Sequence, residues 1–206
     1  MTDTDARLSG AVSDTRSWLT DAGRWLFADR HGLALWLGLL CWFGLTWRVG
    51  FFIQDTYATA NTLVALADGQ LHVSELRYSI TFASQPGLHQ YGGQLYGRNY
   101  GQVYASLPLY FLLDGLSRVA DLRVVLAGSV SLAALGCAHQ LGGVLDRRPL
   151  ALVLGSGVSI LLFVGNLLGA RALDPHYTGL VALQGTSAIA GGVLGVLIYR
   201  LFRSLA

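Results

Sequence analysis

Two carboxylates, Asp55 and Asp174, each stand just beyond an apolar run, the first after residues 32–53 and the second after residues 149–170. Acids carried by separate elements to one membrane surface can take the proton of an acceptor hydroxyl, or hold a divalent cation against a phosphate. The same positions also suit helix caps. Asp55 precedes TYATANTL and Asp174 precedes Pro175, and Asp at an N-cap with Pro next is a common helix start. Spacing alone leaves both roles open.

A second group lies in QPGLHQYGGQLYGRNYG, residues 85–101. His89 and Arg98 alternate there with the rings of Tyr91, Tyr96 and Tyr100, and Tyr57 adds a further ring from the start of the same polar stretch. A guanidinium among aromatic faces suits a sugar ring or a phosphate. Tyrosines also line membrane interfaces as a belt, which is the alternative reading. His72, His139 and His176 bring no partners at ligand spacing, although His176 follows Asp174 by two residues. Cys41 and Cys137 sit inside apolar runs without a CxxC pair and read as small buried hydrophobes.

The elements that must position these residues follow from composition. Of 206 residues, 53% are hydrophobic and only 13% charged, against about 25% in soluble domains. A soluble domain of this length could not bury so much apolar surface, and the apolar residues gather in runs near the ~20 needed to cross a bilayer. The fold class expected is all-α, a polytopic bundle with about four spans, at roughly 32–53, 122–145, 149–170 and 179–199. The fourteen basic residues are all arginines, spread along a chain of net charge +2, so no patch is dense enough for nucleic acid. No GxGxxG or Walker A pattern marks a soluble cofactor.

Residues 1–31 read as a cytoplasmic amphipathic segment, with Trp18, Leu19, Trp25 and Leu26 about a helical turn apart. No cleavable signal peptide is expected, since the first apolar run starts only after Arg30. From 54 to about 121 the chain reads as one outer loop carrying two surface helices. The first, over 54–69, is amphipathic and stops at Gly69. The second, 103–120, is short for a span and is broken by Pro108 and Asp114. Were it to cross, Arg147, Arg148, Arg200 and Arg203 would face outside, against the positive-inside rule; lying flat, it leaves them cytoplasmic together with both termini. The module is thus 32–206, multi-pass in the cell membrane. Asp55 and Asp174 share its outer side. Glycine-rich stretches such as 155–159 and 191–195 fit close helix packing. The spans carry no ionisable series of the kind a proton relay needs, which disfavours a transporter.

In this order of features the chain resembles the N-terminal part of the polytopic GT-C glycosyltransferases, the class of the protein O-mannosyltransferases and the lipid A aminoarabinose transferase. There an acidic residue opens the loop after the first span, a surface helix ends in Gly, and a second surface helix begins with a Pro-Leu-Tyr-like motif. A basic inner loop and an outer Leu-Asp-Pro-like motif follow. Here Asp55, ALADG (65–69), SLPLYFLL (106–113), Arg147-Arg148-Pro149 and Leu173-Asp174-Pro175 fall in that sequence. Thr56 stands where many relatives carry a second acid.

The resemblance implies a sugar taken from a polyprenyl-phosphate carrier at the outer face. It implies Asp55 as catalytic base and Asp174 as a phosphate- or metal-facing acid, with a divalent metal ion as cofactor. Tyr57, His89, Tyr96, Arg98 and Tyr100 would then bind substrate. Since GT-C enzymes continue through further spans, the alternative is a non-catalytic relative serving as accessory or scaffold to a companion membrane subunit. Both readings expect contact with the lipid bilayer.

Overall fold

Three long apolar runs need partners that can approach closely, because lipid offers no hydrophobic drive between helices and contact depends on small residues. The computed structural model describes residues 28–46, 54–78, 88–169 and 178–205. Nearly all of the 1–31 segment lies outside them. The described chain forms α1 (Arg30–Thr46), α2 (Gln54–Ala67), β1 (His72–Val73), β2 (His89–Tyr91) and β3 (Gln94–Tyr96). After these come α3 (Tyr100–Ser117), α4 (Leu122–Val144), α5 (Arg148–Gly169) and α6 (Thr178–Leu205). Among the described residues α4, α5 and α6 are the three helices long and apolar enough to cross a membrane. Of the first expected span, α1 covers the part to Thr46, and 47–53 lies outside the described residues.

Helices α4 and α5 form the most extensive helix pair. Gly142 packs on Ala151 and Gly155 on Ala138, each so closely that a Cβ on the glycine would clash. Two turns further along, each of the buried Ser131 and Ser159 hydroxyls donates to the other's carbonyl oxygen at 3.0 Å. These contacts run in opposite directions along the two helices, so the pair is antiparallel. The same holds for α1 on α4, where the Cys137 thiol donates to the Ala34 carbonyl at 3.4 Å while Gly44 meets Val130. It holds again for α1 on α6, where Asp29 reaches Arg203 and Trp36 lies on Gly192. One end of this four-helix arrangement therefore gathers Arg30, Arg147, Arg148 and Arg203; the other carries the cap formed by α2, the sheet and α3. His139 lies on an exposed face of α4.

The cap departs from the all-α expectation. Residues read as a tyrosine-glycine loop form a small antiparallel sheet of order β1-β3-β2. Its hairpin turns at Gly92-Gly93, where φ values of 56° and 79° meet the positive-φ demand of a two-residue type I′ turn. The strand leaving it crosses α2 at Gly97, whose backbone lies so close to the Thr62 side chain that no Cβ fits.

Helix α2 ends as expected: Gly69 takes φ +77°, and the Gln70 and Gly69 N–H groups cap the Ala65 and Leu66 carbonyls. It is not the amphipathic surface helix that its pattern suggested. Residues 58–65 are buried all round, beneath α3, α6 and β1. Its small Ala and Thr side chains let those neighbours close in on every face, so polar Thr59, Asn61 and Thr62 are buried as well.

Asn61, 1% exposed, is satisfied in full. Its amide NH2 donates to the Tyr57 carbonyl at 2.9 Å and the Tyr78 carbonyl at 2.7 Å, while its oxygen accepts the Tyr78 N–H at 2.9 Å. The side chain thus pairs with both backbone groups of Tyr78, whose buried ring lies against Gly179 at the start of α6.

Helix α3 is not among the span-length apolar helices. Gln102 meets Ser187 and Leu109 meets Gly185, so seven residues along α3 correspond to two along α6. The two helices share an interface about as extensive as that of α1 with α6. Pro108 removes one helical N–H on an exposed face, where solvent can serve the carbonyl it frees.

Two outcomes follow. Asn61→Ala strands two buried backbone groups of Tyr78 and is expected to cost about 2–3 kcal/mol in denaturant unfolding of the micelle-solubilised protein. At the far end, partial burial would raise the Asp29 pKa, but hydrogen bonds from His31 and the charge of Arg203 outweigh it and hold the carboxyl below its usual range. A depressed folded pKa stabilises above the unfolded value of about 3.9 and loses that contribution as pH falls below it. Thermal stability should drop between pH 5 and about pH 3, and less so in Asp29→Asn.

Candidate functional site: a cleft between bundle and cap

A cleft of about 870 Å³ opens between α3 and the bundle. Its body is apolar. Leu40 and Phe43 of α1, Leu112 and Leu116 of α3, and Val125 and Val130 of α4 form the walls.

Apart from Ser129 on the α4 wall, its polar lining clusters around the first turn of α3. Asn99 has φ +56°, an uncommon backbone for a residue other than glycine, and makes no side-chain cap to α3. Its amide instead reaches across to the Thr59 hydroxyl at 3.4 Å. One turn on, the Gln102 amide donates to the Ser187 hydroxyl at 3.2 Å, and that hydroxyl donates to the Leu183 carbonyl. Thr56 lies one turn before Thr59 and Gln184 one turn before Ser187, and both line the cleft. Six neutral amides and hydroxyls from α2, α3 and α6 thus share one end of a greasy slot. No described residue lining it is ionisable.

The residues singled out from the sequence are distributed otherwise. Asp174 lies outside the described residues, as does the side chain of Asp55; the backbone of Asp55 is in the first turn of α2, next to Thr56 of the cleft. Tyr57 packs half-buried against the cap core. His89 is exposed on β2 and faces Tyr96 across the hairpin, with His72 on the other side of the same residue. The Tyr96 hydroxyl donates to Gln94 at 2.8 Å, and the Tyr100 hydroxyl donates to the Leu71 carbonyl at 2.7 Å, tying α3 to the β1 segment. Arg98 is half-buried directly before Asn99. Among the described residues, none of Tyr57, His89, Tyr96, Arg98 and Tyr100 lines the cleft. Among the described residues no three His, Cys, Asp or Glu side chains converge as a metal site.

What sequence reading missed were Asn99, Gln102, Gln184 and Ser187. A search for ionisable groups passes over them, but two pairs of amide-bearing and polar residues spaced i, i+3 on otherwise apolar helices were the available signal. The helices and this slot define a helical membrane protein with a capping subdomain at one end. No protein-family model matches the chain, and no curated protein or solved structure does either.

Asn99 combines left-handed backbone and a cross-link to α2, and two substitutions separate these roles. Asn99→Gly keeps the backbone and loses the link, whereas Asn99→Ala loses both; the alanine variant should melt lower, by the equivalent of about 1 kcal/mol.

Proposed function

We propose that the chain is a GT-C-like membrane module that holds a polyprenyl-phosphate-linked sugar in this cleft. In this reading the first apolar run, 32–53, is a fourth span, both termini are cytoplasmic, and the cap faces outward. The antiparallel order of α1, α4, α5 and α6 supports it, because it collects Arg30, Arg147, Arg148 and Arg203 on one side, as the positive-inside rule expects of a cytoplasmic face.

The observation that carries the function is the division of the cleft lining. A long apolar wall suits an isoprenoid chain, and amides and hydroxyls with both donor and acceptor atoms suit the hydroxyls of a sugar. Thr56 brings the start of α2 to the same mouth, so Asp55 beside it is the base assigned to the acceptor's proton. Asp174 is assigned to the donor phosphate as the acceptor oxygen displaces it from the anomeric carbon.

A second reading, an accessory subunit that binds the lipid-linked sugar without turning it over, is favoured by the absence of ionisable side chains among the described lining residues. The two separate in one experiment on the purified protein in nanodiscs. A prenyl-phosphate-linked hexose bearing a diazirine on its prenyl chain is expected to label α3 or α4 wall residues. Gln102→Leu should weaken it about fivefold, the equivalent of one hydrogen bond. Transfer to an acceptor that disappears in Asp55→Asn while labelling persists supports the enzyme; labelling without transfer supports the accessory. Failure of unlabelled lipid-linked hexose to compete would overturn both.

A further inference from the structure

Among the described residues, the end of the bundle away from the cleft carries an unbalanced charge with a defined geometry. At the cap end each of three arginines is matched by a neighbouring acid: Arg77 with Asp68 at 3.1 Å, Arg118 with Asp114 at 2.6 Å and Arg123 with Asp121 at 2.7 Å. At the opposite end Asp29 is taken by Arg203 and His31. Arg30, Arg147 and Arg148 have no ion pair among the described residues, and neither has Asp146 in the turn between α4 and α5.

Arg30 and Arg148 converge. The Arg148 stem lies against Gly142, and a Cβ placed on Gly143 would stand 3.1 Å from Nη1 of Arg30 and 3.8 Å from Nε and Nη2 of Arg148. Two guanidinium groups from α1 and α5 therefore flank one point above α4, and the residue at that point is a glycine. Like charges held so close repel unless an anion sits between them. A guanidinium pair presents forked N–H donors that fit phosphate oxygens.

The surface below identifies where such a phosphate comes from. Leu152, one turn on from Arg148 along α5, is 41% exposed, and Leu132, three turns before Gly143 along α4, is 70% exposed, so each lies on the side of its helix that faces the two guanidinium groups and forms an apolar flank there. A free phosphate has no use for that flank, whereas acyl chains would cover it.

We propose that Arg30 and Arg148, over Gly143, form a binding site for the headgroup phosphate of an anionic phospholipid, whose acyl chains lie along the exposed apolar face of α4 and α5. The site is independent of the cleft and of any sugar chemistry there.

The test is native mass spectrometry of the detergent-solubilised full chain titrated with dioleoyl phosphatidylglycerol, dioleoyl phosphatidylcholine or inorganic phosphate. The expected result is a first phosphatidylglycerol bound well ahead of phosphatidylcholine. Each of Arg30→Gln and Arg148→Gln should weaken it about fivefold, with the double variant weaker still. Arg118→Gln, which removes a paired arginine at the cap, should leave it unchanged. Both targeted arginines are exposed, so circular dichroism should confirm an intact fold in the variants. Equal retention of the two lipids, full retention by the double variant, or displacement of lipid by millimolar inorganic phosphate would overturn the proposal.

Discussion

The pairing of the Asn61 side chain with the backbone of Tyr78 is the constraint on which the cap depends. A helix buried on every side, as α2 is over residues 58–65, must satisfy each polar side chain it carries, and an unpaired buried amide would cost more than the helix gains. Asn61 meets this requirement by treating the Tyr78 peptide groups as a strand would. That fixes the segment after β1 over α2 and delivers the Tyr78 ring to the first turn of α6. The start of α6 is in consequence buried from Thr178 to Leu183, as few membrane helix ends are.

Length makes the same point from the other direction. Helix α6 has 28 residues, about 42 Å at 1.5 Å per residue, against a hydrocarbon core of about 30 Å. The surplus is not left in solvent. Its first two turns form the floor of the cap core, with Val181, Ala182 and Leu183 packed among residues of α2 and α3. One helix therefore belongs to both the bundle and the cap, and the cleft lies where its neighbours change from α1 to α3.

What was legible in the sequence follows from which forces act locally. The apolar runs, the stop at Gly69 and the ambiguous character of 103–120 were readable because length, hydropathy and a left-handed glycine are properties of short segments. The burial of α2 was not, because Ala and Thr at alternate positions look like a weakly amphipathic helix until the partners are known. The sheet was hidden for a related reason: strands of two and three residues carry too little alternation to register, and only Gly92-Gly93 marked the turn. For the site, charge drew the reading to Arg98 and His89, while the cleft is lined by neutral amides that become a group only when α2, α3 and α6 meet.

The two ends of the molecule treat charge in opposite ways, and the difference has a physical reason. At the cap, acid and base neutralise each other at close range, with Asp121 capping α4 through the Arg123 N–H while its carboxylate holds the Arg123 guanidinium. These arginine hydrogen bonds depress the Asp121 pKa, so the pair stays ionised across physiological pH. These paired groups add little net field to the cap, and the described lining of the cleft offers hydrogen bonds without charge. At the other end, Arg30 and Arg148 have no ion pair among the described residues and lie on the side of α4 and α5 that exposes Leu132 and Leu152. Self-repulsion there is an internal cost to the fold, and folding alone supplies no reason to keep it. A compensating anion from the surroundings removes that cost, and a membrane offers such anions along the same plane as the apolar surface that the leucines expose.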